Sequence, residues 1–231
     1  MGRQICRTDS GTGRVDFIRN EIENAARDYR KMKILAFDLS SARGSLAWLD
    51  QDVDLLWGWP NDRKNSASFF ENVGGLKRQF GSPKRIIVGL GPGSYAGTRI
   101  AISAATGLQL ASRAQLIGFS SICAMEDGET EYCMIGDARR QLFFFARVRH
   151  NNLVEGPSLF SETELRDKIN NAEKNVPIFC SEELPPFQRA VIRYPSARVL
   201  ARLAREANRS FVLPPLEPIY LREPHITTMK A

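Results

Sequence analysis

The sequence predicts an α/β protein with mixed sheets, built as two related halves. Three observations carry this expectation. Residues 85–112 read as a strand, a glycine-rich turn and a helix; a polar stretch at 126–131 is followed by a fresh run of strands; and each half has an apolar strand that runs into an aspartate, Asp38 in one and Asp137 in the other. A chain of 231 residues, 43% apolar and 25% charged, has the composition for two small cores and excludes wholesale disorder.

The first half starts at Met32. Lys33 to Leu39 is continuously apolar at its centre and reads as a strand buried on both faces; Ser45 to Leu49 follows Gly44 as a second strand and Val53 to Trp59 as a third. Ser66 to Phe80 places Phe69, Val73, Leu76 and Phe80 on one helical face, interrupted by Gly74-Gly75, a pair for which close helix contact is one rationale. Arg85 to Leu90 is the next strand. The helix predicted over Thr98–Ser112 repeats Ala101, Ala104, Ala105, Leu108 and Ala111, a smooth face that permits close packing. A strand at Leu116–Phe119 closes this half.

The second half reads as strands at Tyr132–Ile135 and Gln141–Arg149, a helix over Ser161–Lys174, a short strand at Val176–Cys180 and a helix over Ser196–Arg209. That last helix sets Arg198, Arg202, Arg205 and Arg209 opposite Leu200 and Leu203. Six arginines and one glutamate fall between positions 189 and 209, so the stripe is either a solvated face or a contact for RNA or an acidic partner. The proline-rich tail Leu213–Arg222 reads as an extended strap. The division expected is a prefix over 1–31, one lobe over 32–125 and a reduced lobe over 126–231. The prefix is either a docking helix or a start site set too far upstream.

Net charge is +6, a mild excess that allows an anionic partner without demanding one. Cysteines 6, 123, 133 and 180 form no CxxC pair, and with two histidines no zinc set is expected; a reduced, cytoplasmic setting without membrane anchorage follows. His150 and His225 lack a serine or cysteine elbow, so a hydrolase triad has no support. The loop Gly91-Pro92-Gly93-Ser94-Tyr95-Ala96-Gly97 ends in Thr98-Arg99 in place of the Lys-Ser or Lys-Thr of a P-loop. Asp38 and Asp137 are the weak candidates for Mg-nucleotide binding between the halves; the neighbouring turns lack the glycines that would admit phosphate.

Ile34-Leu35-Ala36-Phe37-Asp38-Leu39-Ser40, the segment Gly91 to Ile100, Gly136-Asp137-Ala138-Arg139 and Pro218-Ile219-Tyr220-Leu221-Arg222, in this order, resemble the TsaB (YeaZ) family. The resemblance implies an actin-like, sugar-kinase-like (ribonuclease H-like) two-lobed fold. It also implies a non-catalytic scaffold or activating subunit of the bacterial complex that forms N6-threonylcarbamoyladenosine at adenosine 37 of tRNAs reading ANN codons. Its partners would be a TsaD-type transferase and a TsaE-type ATPase, with tRNA as substrate of the complex and a homodimer forming through the same face when the subunit is alone. No cofactor belongs to this subunit on that reading; threonylcarbamoyl-adenylate and ATP with Mg²⁺ are used by the partners. By family match, the two helices of the first half supply the interface, with Phe69, Phe70, Val73, Leu76, Arg99, Ala101, Ile102, Ala104, Ala105 and Leu108. The alternative is a small actin-like ATPase or phosphotransferase using Asp38 and Asp137. The lead Asp62-Arg63-Lys64-Asn65 departs from the histidine-rich lead of relatives.

Overall fold

The structure is a computed structural model that describes residues 31–61, 66–126, 129–171 and 175–222. The prefix up to Arg30, the 62–65 lead and His225 lie outside the described residues.

The first half forms strands β1 (Ile34–Asp38), β2 (Arg43–Leu49), β3 (Asp54–Pro60), β4 (Arg85–Gly89) and β5 (Gln115–Phe119), with helices α1 (Ala67–Phe80) and α2 (Tyr95–Ser112). The second forms β6 (Glu131–Asp137), β7 (Leu142–Arg149), β8 (Asn152–Ser161), α3 (Glu162–Asn171), β9 (Ile178–Cys180), β10 (Val191–Ile192) and α4 (Ala197–Leu203). The sheets have orders β3-β2-β1-β4-β5 and β10-β9-β6-β7-β8, which are the same order read from opposite ends. In each, the first three strands pair antiparallel and the last two join in parallel. The two halves therefore share one sheet order, although β9 and β10 have no helix between them to match α2.

The period-two pattern of β1 explains its central position. Leu35 and Phe37 join one core with Phe69, Val73 and Leu76 of α1 and Ala101 and Ala105 of α2; Ile34 and Ala36 join a second core with Ala197, Leu200 and Ala201 of α4. Thus α1 and α2 cover one face of the first sheet and α4 covers the other. The boundary at 126 places α4 with the second lobe; its contacts are with β1, β2 and β4 of the first. In the second lobe, α3 covers one sheet face through Leu165 and Ile169, while Ile122, Cys123 and Met125, just past β5, pack on the other. The expected helix over Ser196–Arg209 stops at Leu203, so its arginine stripe is not a continuous helical face.

β8 is not anticipated from sequence, because Gly156-Pro157 interrupts it; as an edge strand it tolerates a proline that cannot donate to a ladder. Its hairpin turns at His150 and Asn151, with φ of 49° and 58°.

The alanine face of α2 points inward: Ala101 and Ala105 are fully buried, and Ile102, Ala104 and Leu108 pack half-buried against the same core. Outward lie Arg99, Ser103, Thr106, Gly107, Leu110 and Ala111. Ala105→Glu is expected to cost about 3 kcal/mol or more, because it buries an unpaired charge. Ser103→Glu should stay within about 0.5 kcal/mol. Chemical unfolding of the two variants checks which face is inside.

Candidate functional site

Between the lobes lies a cleft of about 500 Å³. Its walls come from the β1–β2 turn, the 91–97 loop, the end of β6 and the strap.

The 91–97 loop is shaped by its own chain. A Cβ on Gly93 would sit 2.1 Å from the carbonyl oxygen of Ser40, and one on Gly97 would sit 2.0 Å from that of Leu39. Ser94 N–H donates to the Ser40 carbonyl at 2.6 Å. The glycines therefore let the loop lie flat on the β1–β2 turn. Ser94 also caps α2, its hydroxyl accepting from the Gly97 N–H at 3.3 Å. The sequence reads this loop correctly as strand, turn and helix, but its glycines are used for packing.

Asp38 is fully buried and does not line the cleft. Its Oδ1 accepts from the Ser40 N–H at 2.8 Å and from the Ser40 hydroxyl at 2.6 Å. Its Oδ2 lies at Gly89, where a Cβ would come within 1.7 Å of it and 2.6 Å of Ser121 Oγ, and it has no well-formed hydrogen bond among the described residues. Burial pushes the Asp38 carboxyl above the usual carboxylate range, opposed by the hydroxyls of Ser121 and Ser40. Ser121 Oγ in turn accepts from the Gly91 N–H at 2.8 Å. This side chain ties the end of β1 to its own turn and lies against the segment that carries the 91–97 loop.

Asp137 does line the cleft. It accepts from the Arg139 N–H at 2.6 Å and forms an ion pair with the Arg139 guanidinium at 2.6 Å, while its own N–H donates to Glu182 at 3.3 Å. The structure thus places one of the two candidate carboxylates inside the protein and pairs the other. Among the described residues no group of three or more histidine, cysteine or acidic side chains is arranged to hold a metal ion.

The expected interface residues divide. Phe69, Val73, Leu76, Ala101 and Ala105 are buried in the first core, so they offer no surface to a partner; Phe70 and Arg99 are exposed. The reason is that a small apolar helical face serves its own sheet as readily as a neighbour, and periodicity does not say which. The basic stripe also changes meaning. Arg198 pairs with Asp54 at 2.9 Å and Glu126 at 3.2 Å, and Arg202 with Asp54 at 2.7 Å. Arg205 donates to the Asp50 carbonyl. Arg209 pairs with Glu206 at 2.7 Å, donates to the carbonyl of Asn151 at 3.1 Å and lies over the Phe119 ring. These arginines fasten the C-terminal segment to the protein, two of them to Asp54 of β3.

The strap is the feature whose geometry sequence reading only outlined. Val212 bridges to Gly118, Ile219 N–H donates to the Leu90 carbonyl at 2.8 Å, Leu216 packs on the first core and Leu221 on a core of the second lobe. It crosses the cleft and is anchored on both sides.

A family profile described as TsaD: tRNA N6-adenosine threonylcarbamoyltransferase matches residues 76–217, more than half of the chain. The chain belongs to the TsaD family. The TsaB (YeaZ) resemblance of the sequence agrees with this membership, and the same sheet order recurs in both halves. No curated protein matches the sequence. Among solved structures, YeaZ from Pseudomonas aeruginosa is similar at a TM-score of 0.65 and 22% identity, over 82% of this chain and 100% of that one. A Pseudomonas aeruginosa protein described as uncharacterized, with similarity to peptidase YeaZ, has the same score and identity over 83% and 100%. At such identity these likenesses show the fold. No described helix is long and apolar enough to cross a membrane.

Because the folded state favours protonated Asp38, its ionisation costs stability as pH rises through the raised pKa, and the cost is absent below the unfolded value. Asp38→Asn keeps the oxygen that accepts from Ser40 and removes the charge. The variant is expected to be at least as stable as the parent at pH 7, with its advantage vanishing in acid; unfolding curves across that range check the sign.

Proposed function

We propose that this chain is a TsaB (YeaZ)-type scaffold subunit of the complex that forms N6-threonylcarbamoyladenosine at adenosine 37 of ANN-reading tRNAs, and that it docks a TsaD-type transferase through the outward faces of α1 and α2. The family membership supports a role in this tRNA modification. The observation that supports docking is a helix surface with no internal use: a Cβ on Gly75 or Gly107 would meet nothing within 4 Å, and one on Gly74 only the Arg78 side chain. Each mid-helix glycine costs about 0.5–1 kcal/mol against alanine. Beside them, Phe70 is 52% and Leu110 78% exposed. Small residues next to exposed large apolar ones suit close approach by another helix.

The chain alone pairs with itself through the same surface, so homodimer and heterodimer compete. A TsaE-type ATPase joins the assembled pair, and the threonylcarbamoyl-adenylate and ATP with Mg²⁺ belong to the partners. The setting is the cytoplasm. The ATPase alternative requires Asp38 in the cleft, and burial of that side chain argues against it.

Co-purification with the TsaD-type protein of the same genome, followed by tRNA modification with and without this subunit, tests the proposal; no complex and no dependence would defeat it. Gly107→Arg and Leu110→Arg are expected to lower affinity for the transferase about tenfold or more with the fold retained. Gly75→Ala should stabilise the isolated chain by about 0.5–1 kcal/mol, as read by thermal unfolding.

A further inference from the structure

The mouth of the cleft gathers aromatic and basic side chains from three separate segments. Tyr95, at the start of α2, and Tyr220, in the strap, have ring centroids 5.5 Å apart and remain 49% and 41% exposed. Arg99 donates to the Tyr95 hydroxyl and its guanidinium lies 5.1 Å from that ring. Arg222 donates to the carbonyl of Arg139 on the other lobe at 3.2 Å. Neither Arg99 nor Arg222 has a carboxylate partner among the described residues, unlike Arg198, Arg202 and Arg209.

The turn opposite is strained. Arg139, Arg140 and Gln141 hold φ of 65°, 53° and 61°, a left-handed run that costs residues with a Cβ about 1 kcal/mol or more each. Asparagine or glycine would relieve that cost. Instead the turn presents two arginines, Arg139 in the cleft wall and Arg140 beside it, exposed. The acidic groups nearby are Asp137, already paired to Arg139, with Glu182 in the wall and Glu217 acting on Tyr220.

We propose that this mouth is a stacking site for single-stranded RNA, with a base lying on the Tyr95–Tyr220 pair and neighbouring phosphates held by Arg99, Arg140 and Arg222. Tyrosine faces accept any base, and guanidinium groups grip phosphate through paired donors. The carboxylates of Glu182 and Glu217 repel phosphate but accept from the amino groups of a base, so they orient the strand with its bases toward the cleft. The choice of RNA over other anions rests on the proposed tRNA-modifying role; the site itself rests on the aromatic and basic cluster.

The test uses the full chain, alone and with its transferase bound, and a fluorescein-labelled, unstructured RNA of about 12 nucleotides. Anisotropy titrations between about 50 and 200 mM salt should give a log–log slope near −2, as expected for about three phosphates on a single strand. Tyr220→Ala is expected to weaken binding about fivefold or more while Tyr220→Phe retains it. Arg222→Ala should weaken it and reduce the slope by about 0.7. Arg202→Ala should change neither. Absence of binding in both forms, equal affinity of Tyr220→Ala and parent, or displacement of the RNA by an equal concentration of polyglutamate would overturn the proposal. Loss of RNA binding with the transferase still captured removes the stacking site alone; RNA binding by a chain that captures no transferase removes the scaffold role and leaves the site.

Discussion

The return of the C-terminal chain across the first lobe is the constraint on which the molecule depends. Without α4, the face of the first sheet formed by Ile34, Ala36, Ala47, Leu49, Ile87 and Ile117 would meet water, and burial of each large apolar side chain is worth about 1.5–3 kcal/mol. The arginines at 198, 202, 205 and 209 hold that return in place. Arg85, buried under the same segment, donates to the Ala204 carbonyl and so secures the end of α4. The strap then continues over the cleft and takes an anchor from each lobe, so the two lobes are joined by chain as well as by the contact of the segment after β5.

This arrangement accounts for the character of the cleft. The first strand of each lobe ends in an aspartate, and here one of the two, Asp38, is turned inward to serve the Ser40 turn, next to Ser121 and Gly89. The glycine-rich loop spends its close approach on the carbonyls of Leu39 and Ser40. At the rim the strap supplies Tyr220 and Arg222 and the β6–β7 turn supplies Arg140, with Arg139 paired to Asp137. Asp38 and the 91–97 loop are committed to packing, while Tyr95, Tyr220 and Arg140 stay exposed.

The outward surface of α1 and α2 follows the same logic from the other side. Their inward faces are filled by Phe69, Val73, Leu76, Ala101 and Ala105, which fixes the outward set as Phe70, Ser103, Thr106, Gly107 and Leu110 with the open glycines of α1. Glycines without an internal neighbour weaken a helix for no gain to the isolated chain.

The sequence by itself determined the α/β class and most strands and helices, because hydrophobic period and turn residues are local signals: β1, β4 and the 91–97 turn are read within a residue or two of their bounds. It also determined that no P-loop forms, since that chemistry needs particular residues at fixed spacing. The tertiary structure alone decided which helix face is inside, where α4 ends and what it covers, and whether an aspartate at a strand end meets solvent. A stripe of alanines or arginines states what a face is made of. What the face touches depends on segments far away in sequence: α4 reaches back some 150 positions to Ser45, and Asp54 of β3 pairs with both Arg198 and Arg202. The edge strand β8 is hidden for a related reason: its proline falls where the β7–β8 register shifts, and among the described residues no strand pairs on its outer side.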